Sequence, residues 1–413
     1  MKIHGVFGGI GKTLGVRNYR YYWIGSFISI LGFWIHKLAL AWLTWELTKS
    51  PFWLGMVGFA ALFPSFIFSP FSGALADRFG MRLVAYYSIV VSGLLALLLG
   101  ILVSLEMATI EIVFVLTFLQ GTGLAFDLPA RQGLVNLLVK KEDLSSAIAL
   151  NTTTFHIGAF IGPAIFGFLL EFFSIQWVFY ANALTFLVFT LCLRELNISE
   201  LKNLSTPMYK ITEDIREGIY YLLGHTGIRS LFILAIIPHL FIRPFVDFLP
   251  GFSEEVFYRG ADGFAILASS FGLGSLLLGF LLAVRGKTQG LAKIYIYSAL
   301  SALIFLLLFA ATNIFWFAVT CVFAVGVSII GCTVSSQSLI QNAVDPDKRG
   351  RIISLSTGIA VGLPAIGALV LGSLGEKFGL QIPFVTLMLI GIFYWIFAAR
   401  TVVPNSDMLE KSR

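Results

Sequence analysis

The chain of 413 residues is 58% hydrophobic and 12% charged, about half the charged share of a soluble domain. That balance excludes a water-soluble enzyme, and it makes the formal charge of +6 a matter of distribution rather than of nucleic-acid binding. Three cysteines, Cys192, Cys321 and Cys332, sit in apolar runs without a pairing pattern, so neither a disulfide framework nor a zinc site is expected.

A bilayer core asks for about 20 apolar residues per helical crossing. Twelve such spans are expected, at 20–46, 52–75, 83–104, 111–128, 147–170, 176–194, 228–250, 262–284, 292–311, 315–343, 352–375 and 380–400. The first run is too long for a cleavable signal peptide and has no small-residue cleavage site, so span one is expected to be an uncleaved anchor. Most breaks are short turns such as "TKSP" and "ATNI". The longer polar stretch between spans six and seven ends in a segment patterned as an amphipathic helix along the membrane surface.

With the N-terminus inside, 23 of the 28 Lys and Arg fall in inner segments. Lys49, Arg259 and Lys377 fall outside, and Lys37 and Arg243 lie within spans. This is the asymmetry of the positive-inside rule, and it places both termini in the cytoplasm.

Along the chain, span one carries His36 and Lys37 in "GFWIHKLALAW". Spans two and three are bridged by "GALADRFGMRLV", in which Gly73 permits close helix approach and Gly80 a tight turn. Asp77 is placed to take the positive end of a helix dipole or a nearby Arg. Span four reads "TFLQGTGLA" and ends near Asp127 and Arg131, spaced as a local i,i+4 pair and candidates for an inner gate. Span five holds "GAFIGPAIFG", where Gly158, Gly162 and Gly167 favour tight helix packing and Pro163 a bend.

Span seven is unusual. In "PHLFIRPFVDFLP" the ionisable residues His239, Arg243 and Asp247 recur every four positions and share a helical face. Such groups are costly inside a membrane and mark pathways; the alternative is a structural i,i+4 pair of Arg243 and Asp247, with Lys37 of span one snorkelling outward. Pro238, Pro244 and Pro250 interrupt the hydrogen-bond ladder, as befits a helix that bends and lines a cavity.

The chain also repeats. A shift of 205 residues overlays "ARQGLVNLLV" on "SSQSLIQNAV" and matches Gly162 with Gly367, Gly167 with Gly372 and Glu171 with Glu376. A shift of 206 pairs Gly73 with Gly279 and Lys37 with Arg243. Parallel six-span repeats are a transporter architecture.

The loop residues Gly73, Leu75, Ala76, Asp77, Arg78, Gly80 and Arg82 resemble the signature of the major facilitator superfamily. The span-five segment is similar to that superfamily's exporter motif, with Phe166 in place of the usual Gly. Span four is similar to a further motif but has Thr117 at its arginine position, which argues against standard proton antiport. The second-half loop has Ala283 where an Asp would stand. The stretches 127–151 and 344–369 resemble the transmembrane secretion effector branch, which includes enterobactin-exporter-like and macrolide-efflux relatives; Phe33 stands where that branch often carries an acid.

The resemblance implies an all-α membrane protein with two pseudo-symmetric six-helix bundles. Residues 1–195 and 228–413 would form the bundles, joined by a cytoplasmic linker at 196–227. It implies a secondary active transporter of small amphipathic compounds in a prokaryotic cytoplasmic membrane, in which Asp77, Arg78 and Arg82 form a conformational latch. Lys37, His239, Arg243, Asp247 and, more weakly, His36 are the substrate and coupling candidates. Export is favoured over uptake. No metal or cofactor is expected; proton coupling is the expected drive and a monomer the expected state. A membrane enzyme or passive channel is disfavoured, since no zinc, nucleophile-elbow or phosphate-loop spacing occurs; "FGGIGKTLG" at 7–15 fails that spacing.

Overall fold

The computed structural model describes residues 11–197, 209–285, 288–345 and 348–410; a few side chains within them, among them those at 73 and 77, lie outside the description. Among the described residues, twelve helices are long and apolar enough to cross a membrane. They run Arg17–Thr48, Pro51–Phe79, Met81–Ser104, Ile110–Leu138, Leu144–Phe172, Gln176–Arg194, Thr226–Val256, Gly260–Arg285, Leu291–Ala311, Phe315–Ala343, Arg349–Phe378 and Gln381–Val402. Several exceed their expected bounds because polar residues at their ends extend the helix past the apolar stretch. Span four, for example, reaches Leu138 and so takes in Arg131 beside Asp127.

Large apolar side chains point outward along these helices: Leu94, Phe168, Phe280 and Phe393 are all exposed. In water that surface would aggregate; in lipid it is the solvated face. Hydrocarbon offers no hydrophobic drive for helix association, so the interior must be held by close packing.

The chain divides into two compact units, residues 1–43 with 67–206, and residues 44–66 with 207–413. In the first, span three packs on spans four and six; in the second, span nine packs on spans ten and twelve. The repeat read from the sequence therefore recurs in the packing. A core of Tyr19, Tyr22, Ala85, Ala130, Leu134 and Phe189 closes one end of the first unit. In the second, Phe252 meets Phe309 at 4.8 Å and Phe384 at 5.1 Å between ring centroids, in tilted and edge-on arrangements that suit aromatic quadrupoles.

The segment before span seven forms the helix Tyr209–Gly224. Its Glu217 pairs with Lys348 and Arg351, while Ile219, Tyr220 and Leu223 are exposed. At the C-terminal end, Glu410 accepts hydrogen bonds from the amides of Gly290 (2.6 Å) and Ala292 (3.0 Å), capping the start of span nine.

Candidate functional site

Span seven is broken rather than bent. Its first helix, Thr226–Ile236, passes into a π-helical turn at Ile237–Ile242, where the Arg243 amide reaches back five residues to the Pro238 carbonyl at 2.9 Å. The cause lies in Pro244, which has no N–H to give the Leu240 carbonyl and whose ring crowds it. Gly367 of span eleven fills the space beside that break: a Cβ there would lie 2.4 Å from the Leu240 oxygen and 2.7 Å from Pro244 Cγ. A short helix, Phe245–Gly251, and a second π turn, Phe252–Val256, complete the span. Insertions of this kind in a helix often mark functional positions.

The three polar residues divide among these pieces. His239 lies in the π turn, half-buried, with a buried Nδ1 that makes no hydrogen bond among the described residues. Arg243 stands at the junction and is exposed, within electrostatic reach of both His239 and Asp247. Asp247 is half-buried, with a carboxylate oxygen 3.0 Å from where a Cβ on Gly58 would stand. A glycine at 58 is what admits the acid there.

In the first unit, Lys37 is half-buried with Nζ 5.9 Å from the centroid of the Trp34 ring. His36 is buried, its Nε2 2.8 Å from Gln120 Oε1 and its ring edge-on to Phe179. The buried Nδ1 has no hydrogen-bond partner among the described residues. Asp127 and Arg131 do form a pair, Nε to Oδ2 at 2.6 Å, with Asp127 buried and Arg131 half-buried. The guanidinium also donates to Ser29 Oγ at 3.1 Å and lies 4.2 Å above the Phe189 ring. Among the described residues, Asp127 Oδ1 has no hydrogen-bond partner.

The exporter-like segment packs on span one. A Cβ at Gly158 would meet Ile30 at 2.6 Å and Trp34 at 3.0 Å, and one at Gly162 would meet Trp34 Cβ at 2.6 Å. Pro163 and Phe166 are buried and Gly167 half-buried. In the loop, Gly80 adopts φ +92° between spans two and three, the turn that asked for glycine. Arg82 donates to the Leu196 carbonyl and Arg78 lies 5.5 Å from the Phe79 centroid. Gly73 and Asp77 fall outside the described side chains.

Sequence reasoning missed Trp34, whose buried Nε1 has no partner among the described residues, and Gln120 as the partner of His36. It also missed Glu254, which binds Trp45 and Lys49. The i,i+4 spacing of Trp45 and Lys49 was the available signal, but nothing local points to a carboxylate some 200 residues on.

A family model described as "transmembrane secretion effector" matches residues 13–412. The Staphyloferrin A transporter of Staphylococcus aureus is 25% identical over 390 residues, covering 91% of this chain and 96% of that one. Macrolide efflux protein A of Streptococcus pyogenes is 22% identical over 367 residues, covering 87% and 89%. Among solved structures, a POT family transporter in complex with a thioalcohol-conjugated peptide superposes with a TM-score of 0.76 at 13% identity, over 96% of this chain and 97% of that one. The nucleoside transporter NupG gives 0.72 at 14% identity, over 94% and 99%. A full-length family match, twelve spans and this shared architecture lead to one conclusion: the chain belongs to the transmembrane secretion effector family of major facilitator superfamily transporters.

Proposed function

We propose that this transporter is an ion-coupled exporter of small amphipathic organic compounds in a prokaryotic cell membrane. It works as a monomer by alternating access and without ATP. The observation that carries the reading is Arg243, an exposed guanidinium at the break of a membrane span, with His239 and Asp247 beside it. Charges persist at such depth where they face a water-filled path or a partner.

Lys37 occupies the repeat-equivalent position in span one and is a second candidate ligand for an anionic or acceptor-rich group. An arriving substrate draws Arg243 away from Asp247, and the freed carboxylate takes a proton. His239 is the second proton-responsive group, and the loop around Asp77 is the latch that is made and broken as the halves rock. The names of the two relatives support a small organic cargo, and the Gly158–Gly162–Pro163 segment supports export.

Direction is tested in cells. With a panel of macrolides, cationic dyes and catecholate siderophores, a strain lacking the protein should accumulate the transported compound. Loss of that compound from the deleted strain would instead establish an uptake carrier.

A further inference from the structure

The turn joining spans one and two is held by two carboxylates from distant helices. Lys49 sits in it with φ +47°, a conformation unfavourable for a side chain with a Cβ. Glu254, in the last π turn of span seven, accepts from Trp45 Nε1 at 2.9 Å with one oxygen and from Lys49 Nζ at 2.6 Å with the other. A single carboxylate thus bridges two residues one helical turn apart. Glu376, in the last turn of span eleven, accepts from Ser50 Oγ at 2.7 Å and from the Phe52 amide at 3.2 Å. Ser50 is the residue before span two, and its hydroxyl also accepts from the Trp53 amide at 3.3 Å. Glu376 therefore places a negative charge on the N-terminus of span two from a different helix, where the helix dipole favours an anion.

Beneath these two grips the surfaces are nearly smooth. A Cβ on Gly55 would lie 2.3 Å from the Ala368 carbonyl, and one on Gly372 would lie 2.8 Å from the Pro51 carbonyl and 3.0 Å from Gly55 Cα. A Cβ on Gly251 would lie 3.1 Å from the Trp45 ring. At Gly55 and Gly372 backbone lies on backbone, and all of these contacts fall within the second compact unit, to which residues 44–66 belong. Both carboxylates and Lys49 remain reachable by solvent, so the fastenings are accessible from the face that the charge distribution marks as outer.

We infer that Glu254 and Glu376 are the two releasable fastenings of an outer gate, closed by the hairpin 44–66 against the ends of spans seven and eleven. Neutralising either one shifts the transporter toward the state open at that face. The inference rests on the alternating-access reading above. It adds the residues that hold one state, which neither the latch loop nor the span-seven stripe supplies. A charge-assisted grip weakened by screening corresponds to a shift of roughly tenfold in the closed-to-open ratio for each carboxylate.

The test uses full-length protein in lipid nanodiscs, with spin labels at Leu47→Cys and Tyr258→Cys, two exposed positions flanking the gate. Cys192 is replaced by Ser, and the buried Cys321 and Cys332 are kept. Pulsed electron resonance then reads the distance distribution. Glu254→Gln and Glu376→Gln should each enlarge the long-distance population, while Glu106→Gln, an exposed carboxylate in another loop, should not. Should a single variant fail to fold, the swap Lys49→Glu with Glu254→Lys restores the charge pair but not the acceptor for Trp45 Nε1, and should lie nearer the wild-type distribution than Lys49→Glu alone, which should open the gate. Unchanged distributions in both glutamine variants, or opening in Glu106→Gln to the same extent, would overturn the inference. Distances are read without substrate. A failure to find cargo thus leaves the gate result standing, and distances that do not move in a protein that exports count against the gate alone.

Discussion

Asp127 and Arg131 show what one residue pair contributes. Asp127 is 4% exposed, so its charge has almost no water and depends on the guanidinium one turn away. Removing one partner of a buried pair typically costs about 3–5 kcal/mol, while replacing both with apolar residues is often neutral. Arg131→Met should therefore lower the thermal unfolding temperature clearly, and Asp127→Leu with Arg131→Met should recover most of the loss. A double variant as unstable as the single one would mean that Ser29 and Phe189, not charge balance, hold the site together. The i,i+4 spacing made this pair legible in the sequence. Ser29 and Phe189 were not, because they come from spans one and six and only folding brings them to the guanidinium. His36 was similar: the histidine was visible, its tie to Gln120 was not.

At the scale of elements, the repeat carries the most information. Gly162 meets Trp34 of span one, and its counterpart Gly367 meets Leu240 of span seven, the residue to which Trp34 maps under the shift of 206. The same pair of helices is thus joined by the same small residue in each half. Neither contact can swing aside: Gly162 faces Trp34 Cβ, which is bonded to the backbone, and Gly367 a backbone carbonyl. Overpacking a tight interior costs roughly 1–3 kcal/mol. Gly162→Ala and Gly367→Ala should each cost an amount in that range, as read by the fraction of folded protein recovered from membranes. Wild-type recovery of either variant would mean that its helix pair yields at that contact.

The repeat also inverts a charge pair. Lys12 lies 3.1 Å from Asp143, and the shift of 205 carries these to Glu217 and Lys348, which also lie 3.1 Å apart. The hydrogen bond and charge of Asp143 hold the Lys12 ammonium above its usual pKa. Each half thus ties the segment before its first span to the loop after its fourth, with opposite polarity. The prolines of span seven announced an interruption; the π turns they produce were not legible, since the rewired bonds depend on which helix fills the gap beside Pro244.

For the whole molecule, hydropathy was enough to draw twelve crossings, because a bilayer allows few alternatives to a helix of fixed minimum length. Membership of the compact units was harder to read. The hairpin 44–66 belongs by sequence to the first half, yet it packs with the second unit through Gly55, Gly372 and two carboxylates far along the chain. Such long-range choices leave no periodic trace. Transport itself follows from the family, whereas cargo and coupling are matters of a few side chains.

Arg243 as a ligand for an acceptor-rich cargo is tested with purified protein in liposomes under an imposed pH gradient, following proton flux as candidate compounds are added, with Arg243→Ala run in parallel. Anionic catecholates should drive flux, and the variant should lose about tenfold or more of it, as expected when a charged partner is removed. Flux driven by cationic dyes and unchanged in Arg243→Ala would contradict it, and would leave the His239–Arg243–Asp247 stripe as a structural element of span seven.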